Sequence, residues 1–474
     1  MLPGVMQACC NHSLEQFSFV VSSENEKVML CAVNMEERDD WIRSLQDAIH
    51  SNERLQNVKD ESEVVDVKER DNEKIAPQEK TEVKITYVQT SWMDYIPRKE
   101  RLEDDMKNFD YDKLFTEMNP MKANRVSSTS SILNSVLKQL VATMNPSKVR
   151  LPACVLESRS LLESYGEALA RPELFLAIPH GSTVEDRLLR VAAFYLSWLK
   201  CMRPIPVALK PYNPTLGEVF VCEWPTTDTT VVESQDTVRF LAEQISHHPP
   251  VSALYADSRE SGLTLTASVS TISGLKLKYI AYPEALTVNI EGQARVWVKK
   301  HREHFTFDFP GAETRDVLGS NPRLETIGTT TLSCDSHGSS VHFEFSGQDH
   351  VEGKVVDSSG KTVAKLGGSW RGLVEIWEKE GEKKVLVDMR NWNKARLPMI
   401  VATVARQTDN ESRRQWRKLT RALVHDPDNA DKEKKLVEDA AREKSSQDFK
   451  PKFFHVGESN KVEFKYTRET GVRK

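Results

Sequence analysis

Two adjacent imidazoles, His247 and His248, stand directly before two prolines, Pro249 and Pro250. A residue before proline is pushed towards extended backbone, and each proline withdraws one N–H donor. The pair is therefore expected at the end of a strand. Two imidazoles held this way can bind one phosphate group, because a nearby anion favours the protonated ring. A metal site would need a third ligand at suitable spacing, and none stands nearby. Nucleophilic catalysis would need an activated nucleophile. Ser246 and Glu243 are close in sequence, but there is no G-x-S-x-G elbow. Taken alone, such a pair reads at least as well as a structural or surface feature.

Two further clusters have the same double reading. In Lys210-Pro-Tyr-Asn-Pro-Thr-Leu-Gly-Glu218, two prolines and a glycine forbid regular structure. A stiff loop holding Lys210 and Asn213 can grip phosphate and hydroxyl groups, or can simply be a turn with solvated polar residues. Lys434, Glu438 and Arg442 follow one another at four-residue steps and so share one helix face. They can serve a ligand, or form an ordinary ion-pair ladder on a solvated helix.

The elements that must position these residues follow from periodicity. Ile132, Leu133, Val136, Leu137, Leu140, Val141 and Met144 fall at helical spacing and predict an amphipathic helix. Ser182 with Glu185 predicts a capping box opening a helix that carries Leu188, Leu189, Ala192, Tyr195, Leu196 and Leu199. From about residue 218 to 390 the period switches to two, as in Leu263/Leu265/Ala267/Val269, Leu275/Leu277/Tyr279, Leu286/Val288/Ile290, Val296/Val298, Phe305/Phe307/Phe309 and Val341/Phe343/Phe345, with turn residues between the groups. At least eight short strands at hairpin spacing imply an antiparallel barrel or sandwich. Residues 411–445 read as a charged helical tail. Its basic residues Arg413, Arg414, Arg417, Lys418 and Arg421 read as a solvated face, with anionic membrane as the other reading.

Upstream, Phe17, Phe19 and Val21 alternate, as do Val28, Leu30 and Ala32, predicting two strands. Asn34 with Glu37 can cap a helix whose apolar stripe is Trp41, Ile42, Leu45 and Ile49. Residues 51–85 are charged with alternating signs and read as a linker, partly helical at most. Residues 86–126 regain apolar side chains, with 86–118 the expected docking segment, and a serine-rich stretch precedes the large domain.

Composition sets outer limits. The chain has 474 residues, 39% hydrophobic and 28% charged, with a net charge of −5. That length accommodates two or three domains. The charge excludes a whole-protein electrostatic nucleic-acid binder, so no nucleic-acid partner is expected. No apolar run approaches the roughly 18–20 residues needed to cross a bilayer, and no signal peptide is read at the N-terminus. The seven cysteines are scattered, with no Cys-x-x-Cys pair. They suggest a reducing, cytosolic location and neither metal nor cofactor.

The three clusters gain meaning from their order. Lys210 to Glu218, then Glu243-Gln-Ile-Ser-His-His-Pro-Pro250, then Lys434, Glu438 and Arg442 ahead of Phe453-Phe454 is a pattern that resembles the oxysterol-binding protein-related family. The resemblance covers about residues 130–470. It implies a mainly β, α+β architecture: an incomplete antiparallel β-barrel around a lipid tunnel, with an N-terminal lid and flanking helices, over 127–474. It implies that Lys210, Asn213, His247, His248, Lys434, Glu438 and Arg442 contact the headgroup of phosphatidylinositol 4-phosphate. Glu438 would orient Arg442 and Lys434 or accept an inositol hydroxyl. The lid would carry Ile132, Leu133, Val136, Leu137 and Leu140. Each buried CH₂ is worth about 0.8 kcal/mol, so two acyl chains left in water would cost on the order of 20 kcal/mol, and a carrier must cover them.

The implied activity is non-vesicular lipid transfer at membrane contact sites, with no enzyme chemistry. The phosphoinositide is exchanged for a second lipid, phosphatidylserine being favoured and a sterol possible. The other reading is a sensor or contact-site scaffold. Leu156 to Tyr165 and Pro172 to Ile178 are similar to the branch holding related proteins nine, ten and eleven. That branch is associated with phosphatidylserine and, in part, sterol; the expected location is the cytosol, peripheral on anionic membranes, at contacts of the endoplasmic reticulum with Golgi or endosomes. Residues 86–118 would mediate homo- or hetero-oligomer formation with a relative. Residues 15–49 resemble the last part of a pleckstrin-homology domain, so 1–50 is expected to be a partial domain of that kind.

Overall fold

The computed structural model describes three short strands before residue 90, and then residues 152–465 apart from short stretches at 154–155, 203–209, 226–235, 279–281, 316–322, 379–380, 445–448 and 458–461. It divides into two units, Met1–Ile96 and Pro97–Lys474. The helix expected at 34–49, the segment 86–126 and the lid residues Ile132, Leu133, Val136, Leu137 and Leu140 lie outside the described residues.

In the first unit, Ser18–Ser22 and Lys27–Cys31 pair as an antiparallel hairpin with Ser18 opposite Cys31. This matches the two alternating runs. A third strand, Lys84–Thr86, pairs with Ser18–Ser22 on its other side. The stretch read as linker therefore ends in a strand. Its signal is brief: Val83, Ile85 and Tyr87 alternate across the end of an otherwise charged run.

The second unit is dominated by one 13-stranded antiparallel sheet. Its strands run in chain order from Val219–Pro225 at one edge to Lys384–Asp388 at the other. The one departure is Gly311–Arg315, which pairs with both Tyr282–Val298 and Arg323–Cys334. The two edge strands do not pair with each other, so the barrel is incomplete. The alternation expected from sequence sets the faces. Leu263, Leu265, Ala267, Val269, Val296, Val298, Phe305, Phe307, Val341, Phe343 and Phe345 are all buried in one core.

Two pairs of predicted short strands are single long ones, Leu263–Lys278 and Tyr282–Val298. The small and polar residues read as turns lie within continuous strands. Gly292, at φ +119°, passes so close to its neighbour that a Cβ would sit 1.9 Å from the Ser268 carbonyl oxygen. Glycine here permits close strand approach and does not mark a chain reversal.

The helix Val184–Met202 fills the core side of the sheet. Its Tyr195 ring packs 5.1 Å from Phe307 and 5.2 Å from Phe343, and its hydroxyl meets Thr330 Oγ1 at 2.9 Å. Trp198 packs edge-on to Phe307 and Phe309. The helix cap lies one residue later than expected. The Asp186 N–H donates to Thr183 Oγ1, and the Ser182 N–H donates to Asp186 Oδ2. A buried pair ties the helix to the sheet: the Arg187 guanidinium donates two hydrogen bonds to Glu303 and a third to the Gly181 carbonyl. The charged tail is two helices, Ser412–His425 and Ala430–Lys444, divided at Pro427. Among the described residues, no helix is long and apolar enough to cross a membrane.

Candidate functional site

The loop that carries Lys210 is fixed at both ends. Lys210–Tyr212 forms a short parallel pairing with Leu156–Ser160. The buried Tyr212 ring lies 4.9 Å from Trp416, and its hydroxyl meets Thr420 Oγ1 at 3.0 Å. The far end is held by the buried carboxylate of Glu218. It accepts from the Thr215 N–H at 3.0 Å, from Ser412 Oγ at 2.7 Å, from the Trp416 indole at 2.9 Å, and from the Ser160 hydroxyl and the Gln415 amide. Burial pushes the Glu218 carboxyl up, while these donors pull it down. Gly217 turns the chain at φ +77°, where a Cβ would meet Phe449.

The octapeptide forms the end of a hairpin. Strand Thr237–His247 pairs with Pro250–Ser258, with His247 opposite Pro250, so His248 and Pro249 are the turn. Both prolines lack an N–H donor, and yet Pro250 opens the next strand. Its place at a strand start needs no N–H donor. The peptide between His248 and Pro249 is cis. The two imidazole rings lie 4.8 Å apart and steeply inclined. The loop and the hairpin are joined directly, because the Gly217 N–H donates to the Gln244 carbonyl and the Gln244 N–H to the Glu218 carbonyl, both at 2.9 Å.

The third cluster lies on Ala430–Lys444. Ala430 and Val437 seat this helix against Trp416, Leu419 and Leu423, and Asp431 accepts from the Ala153 N–H at 2.8 Å. Glu438 stands 3.4 Å from Lys434 and 3.6 Å from Arg442, and Arg442 also pairs with Asp439. Glu438 thus stands between the two cations of this face.

Electrostatics show that the three clusters share one place. Burial of the Lys210 ammonium pushes its pKa down, the neighbouring Lys434 charge pushes it down further, and Glu438 works in the other direction. The residue as a whole remains exposed, with its ammonium crowded by Lys434. His247 is also lowered, by burial first and then by His248. The Pro214 carbonyl, which accepts from the ring, and the Glu438 charge raise it, while Arg442 lowers it. His247 Nδ1 is buried without a hydrogen bond of normal geometry. Of the seven expected residues, Lys210, His247, His248, Lys434, Glu438 and Arg442 therefore act on one another. Asn213 is exposed beside Pro214 at the same loop. The result is a cluster of cationic and imidazole donors with one orienting carboxylate, suited to a phosphorylated group.

Three contributors were not anticipated from sequence. Glu218 fastens the lysine loop. Glu243 accepts the N–H groups of Lys452 and Phe453. Gln244 spans the hairpin bulge, donating to the Ser246 carbonyl and accepting from Ser252. The signal available was their place in the two motifs: Glu218 directly precedes the strand Val219–Pro225, and Glu243 and Gln244 lie inside the apolar strand Thr237–His247. The basic face of Ser412–His425 is only partly a solvated one. Arg413 pairs with Glu163 at 2.7 Å, and Arg414 is buried against Asp409 and the Val404 carbonyl.

Comparison with known proteins identifies the family. The model of the family described as oxysterol-binding protein matches residues 132–473. Human oxysterol-binding protein-related protein 10 is 31% identical over 392 residues, covering 74% of this chain and 49% of the relative. Mouse oxysterol-binding protein-related protein 9 is 32% identical over 345 residues, covering 68% and 45%. The chain spans about half the length of these relatives. Among solved structures, the Osh3 ORD in complex with PI(4)P from Saccharomyces cerevisiae superposes with a TM-score of 0.54 at 22% identity, covering 70% of this chain and 89% of that one. The Osh1 ORD in complex with cholesterol gives 0.55 at 20%, covering 70% and 86%. These structures share the incomplete antiparallel barrel. With its fold and the family match over 132–473 in agreement, the chain belongs to the oxysterol-binding protein family.

Proposed function

We propose that this protein binds phosphatidylinositol 4-phosphate headgroup-first and exchanges it for a second lipid between membranes. The observation that carries the reading is the meeting of Lys210, the histidine pair and the Lys434–Glu438–Arg442 face at one site. Like-charge crowding between Lys210 and Lys434 is relieved when an anion arrives, so a phosphate gains from all three elements together. Support also comes from the PI(4)P complex of the structurally similar Osh3 domain. Phosphatidylserine is the favoured second lipid, by similarity to the branch of related proteins nine, ten and eleven. A sterol is the other candidate, in line with the cholesterol complex of Osh1. The protein would work from the cytosol, peripherally on anionic membranes at contacts of the endoplasmic reticulum with Golgi or endosomes. Residues 132–144 would cover the acyl chains, and 86–118 would bind a related subunit.

The test follows labelled phosphatidylserine and phosphatidylinositol 4-phosphate between two liposome populations. Faster movement than with the His247→Ala/His248→Ala double variant is expected. Equal rates with retained lipid binding would replace transfer by a sensor or scaffold role.

A further inference from the structure

The lysine loop leads into the edge strand Val219–Pro225, the histidine hairpin is made by the next two strands, and the register between them must be held. Gln244 touches both. Its backbone N–H and carbonyl bond to Glu218 and Gly217, at the end of the lysine loop. Its side-chain amide donates to the Ser246 carbonyl at 2.8 Å and accepts from Ser252 Oγ at 2.6 Å. The residue is 1% exposed. Between Gln244 and Ser246 the strand register shifts: Gln244 pairs with Ser252 and Ser246 with Val251, leaving Ile245 without a ladder partner. An extra residue of this kind re-aims the side chains that follow it, and the next three are Ser246, His247 and His248.

The geometry points to Gln244 as the positioning residue of the site, its amide closing the bulge at Ile245 so that the histidines face the lysine loop. A carboxamide is the group required, because a single planar end must donate to one partner and accept from the other. Asparagine is shorter by one methylene and cannot span the bulge. A hydrophobic side chain would leave the Ser246 carbonyl and the Ser252 hydroxyl unpaired in a buried place. This role builds on the headgroup reading, but its lipid-free consequence, the orientation of His247, stands apart from that reading.

The test uses the full chain with Gln244→Met, of similar volume, and the milder Ser252→Ala, which loses one hydroxyl and stands in if Gln244→Met does not fold. Ser252→Thr restores the hydroxyl. Two readouts are taken: the His247 ring titration by NMR without lipid, and binding to phosphatidylcholine liposomes containing phosphatidylinositol 4-phosphate. Gln244→Met is expected to move the His247 midpoint back towards the ordinary histidine value and to weaken liposome binding at least tenfold. Ser252→Ala should do both to a smaller degree, about threefold in binding, and Ser252→Thr should recover it. Unchanged His247 titration in Gln244→Met, or in Ser252→Ala where the former is unfolded, overturns the inference even if thermal stability falls. Wild-type protein that ignores the liposomes overturns the phosphoinositide reading and leaves the titration to decide this one.

Discussion

Glu243 accepts two consecutive backbone N–H groups, from Lys452 at 2.6 Å and from Phe453 at 2.8 Å. The acidic residue that opens the histidine octapeptide therefore secures the C-terminal segment. There Phe454 and Phe464 follow, and Phe464 stacks 3.8 Å from Tyr255. Burial raises the Glu243 carboxyl and the two N–H donors lower it. Glu243→Ala is expected to cost about 3 kcal/mol, since two buried charge-assisted hydrogen bonds are lost. Urea denaturation measures the loss, and limited proteolysis should cut first after residue 450.

Glu218→Ala removes the acceptor shared by Ser160, Thr215, Ser412, Gln415 and Trp416. Buried donors left unpaired cost about 1–3 kcal/mol each before relaxation. A net destabilisation of about 3–4 kcal/mol is expected, with weaker headgroup binding because the Lys210 loop loses its anchor. Denaturation and liposome binding, measured on the same preparation, report the two effects.

Lys434→Ala should raise the Lys210 pKa towards its usual lysine value, because Lys434 is one of the groups holding it down. Headgroup affinity should nevertheless fall about tenfold, since a charge-assisted contact to phosphate is worth roughly 1.5–3 kcal/mol. NMR titration of the lysine side chains and binding to phosphatidylinositol 4-phosphate liposomes test the two signs. A drop in both quantities would contradict the arrangement described above.

The lowered pKa of His247 gives two opposite pH effects. Without ligand, the folded state binds this proton less readily than the unfolded chain. The stability contribution is therefore full above 6.5, the ordinary histidine value, and is lost as pH falls below it. With phosphate bound, the nearby anion favours the protonated ring. Headgroup affinity should rise several-fold from pH 8 to pH 6.5, and His247→Gln should flatten that rise. Thermal melts and liposome binding across this range separate the two.

Arg187→Met leaves the Glu303 carboxylate buried without its partner. Breaking such a pair costs about 3–5 kcal/mol, whereas replacing both members by apolar residues is often neutral. Arg187→Met/Glu303→Leu should accordingly recover most of the loss in urea denaturation.

Much of this molecule is visible in its residue pattern. The period of two from residue 218 to 390 describes a sheet whose inner face must be buried, and Phe305, Phe307, Val341 and Phe343 are buried as that requires. The four-residue spacing of Lys434, Glu438 and Arg442 survives because a helix face is a local property. What escaped the pattern depends on distant partners. Glu218 and Glu243 look like ordinary acidic residues until Trp416 and Phe453, some two hundred positions away, supply the N–H groups they accept. Strand length was misjudged where Gly292 lets two backbones approach, because glycine marks both turns and close contacts. The cap at Thr183 was missed by one residue, since Ser182-Thr183 offers two hydroxyls and sequence does not rank them.

The chain-order sheet has a consequence during synthesis. Lys210 precedes the first sheet strand, Val219–Pro225, and Lys434 follows the last, Lys384–Asp388. A ribosome therefore delivers the barrel strands and both histidines before any charge of the tail helix exists. A nascent chain can collapse its apolar core early, but it cannot bring Lys210, the histidine pair and Lys434 together until the tail helix has emerged.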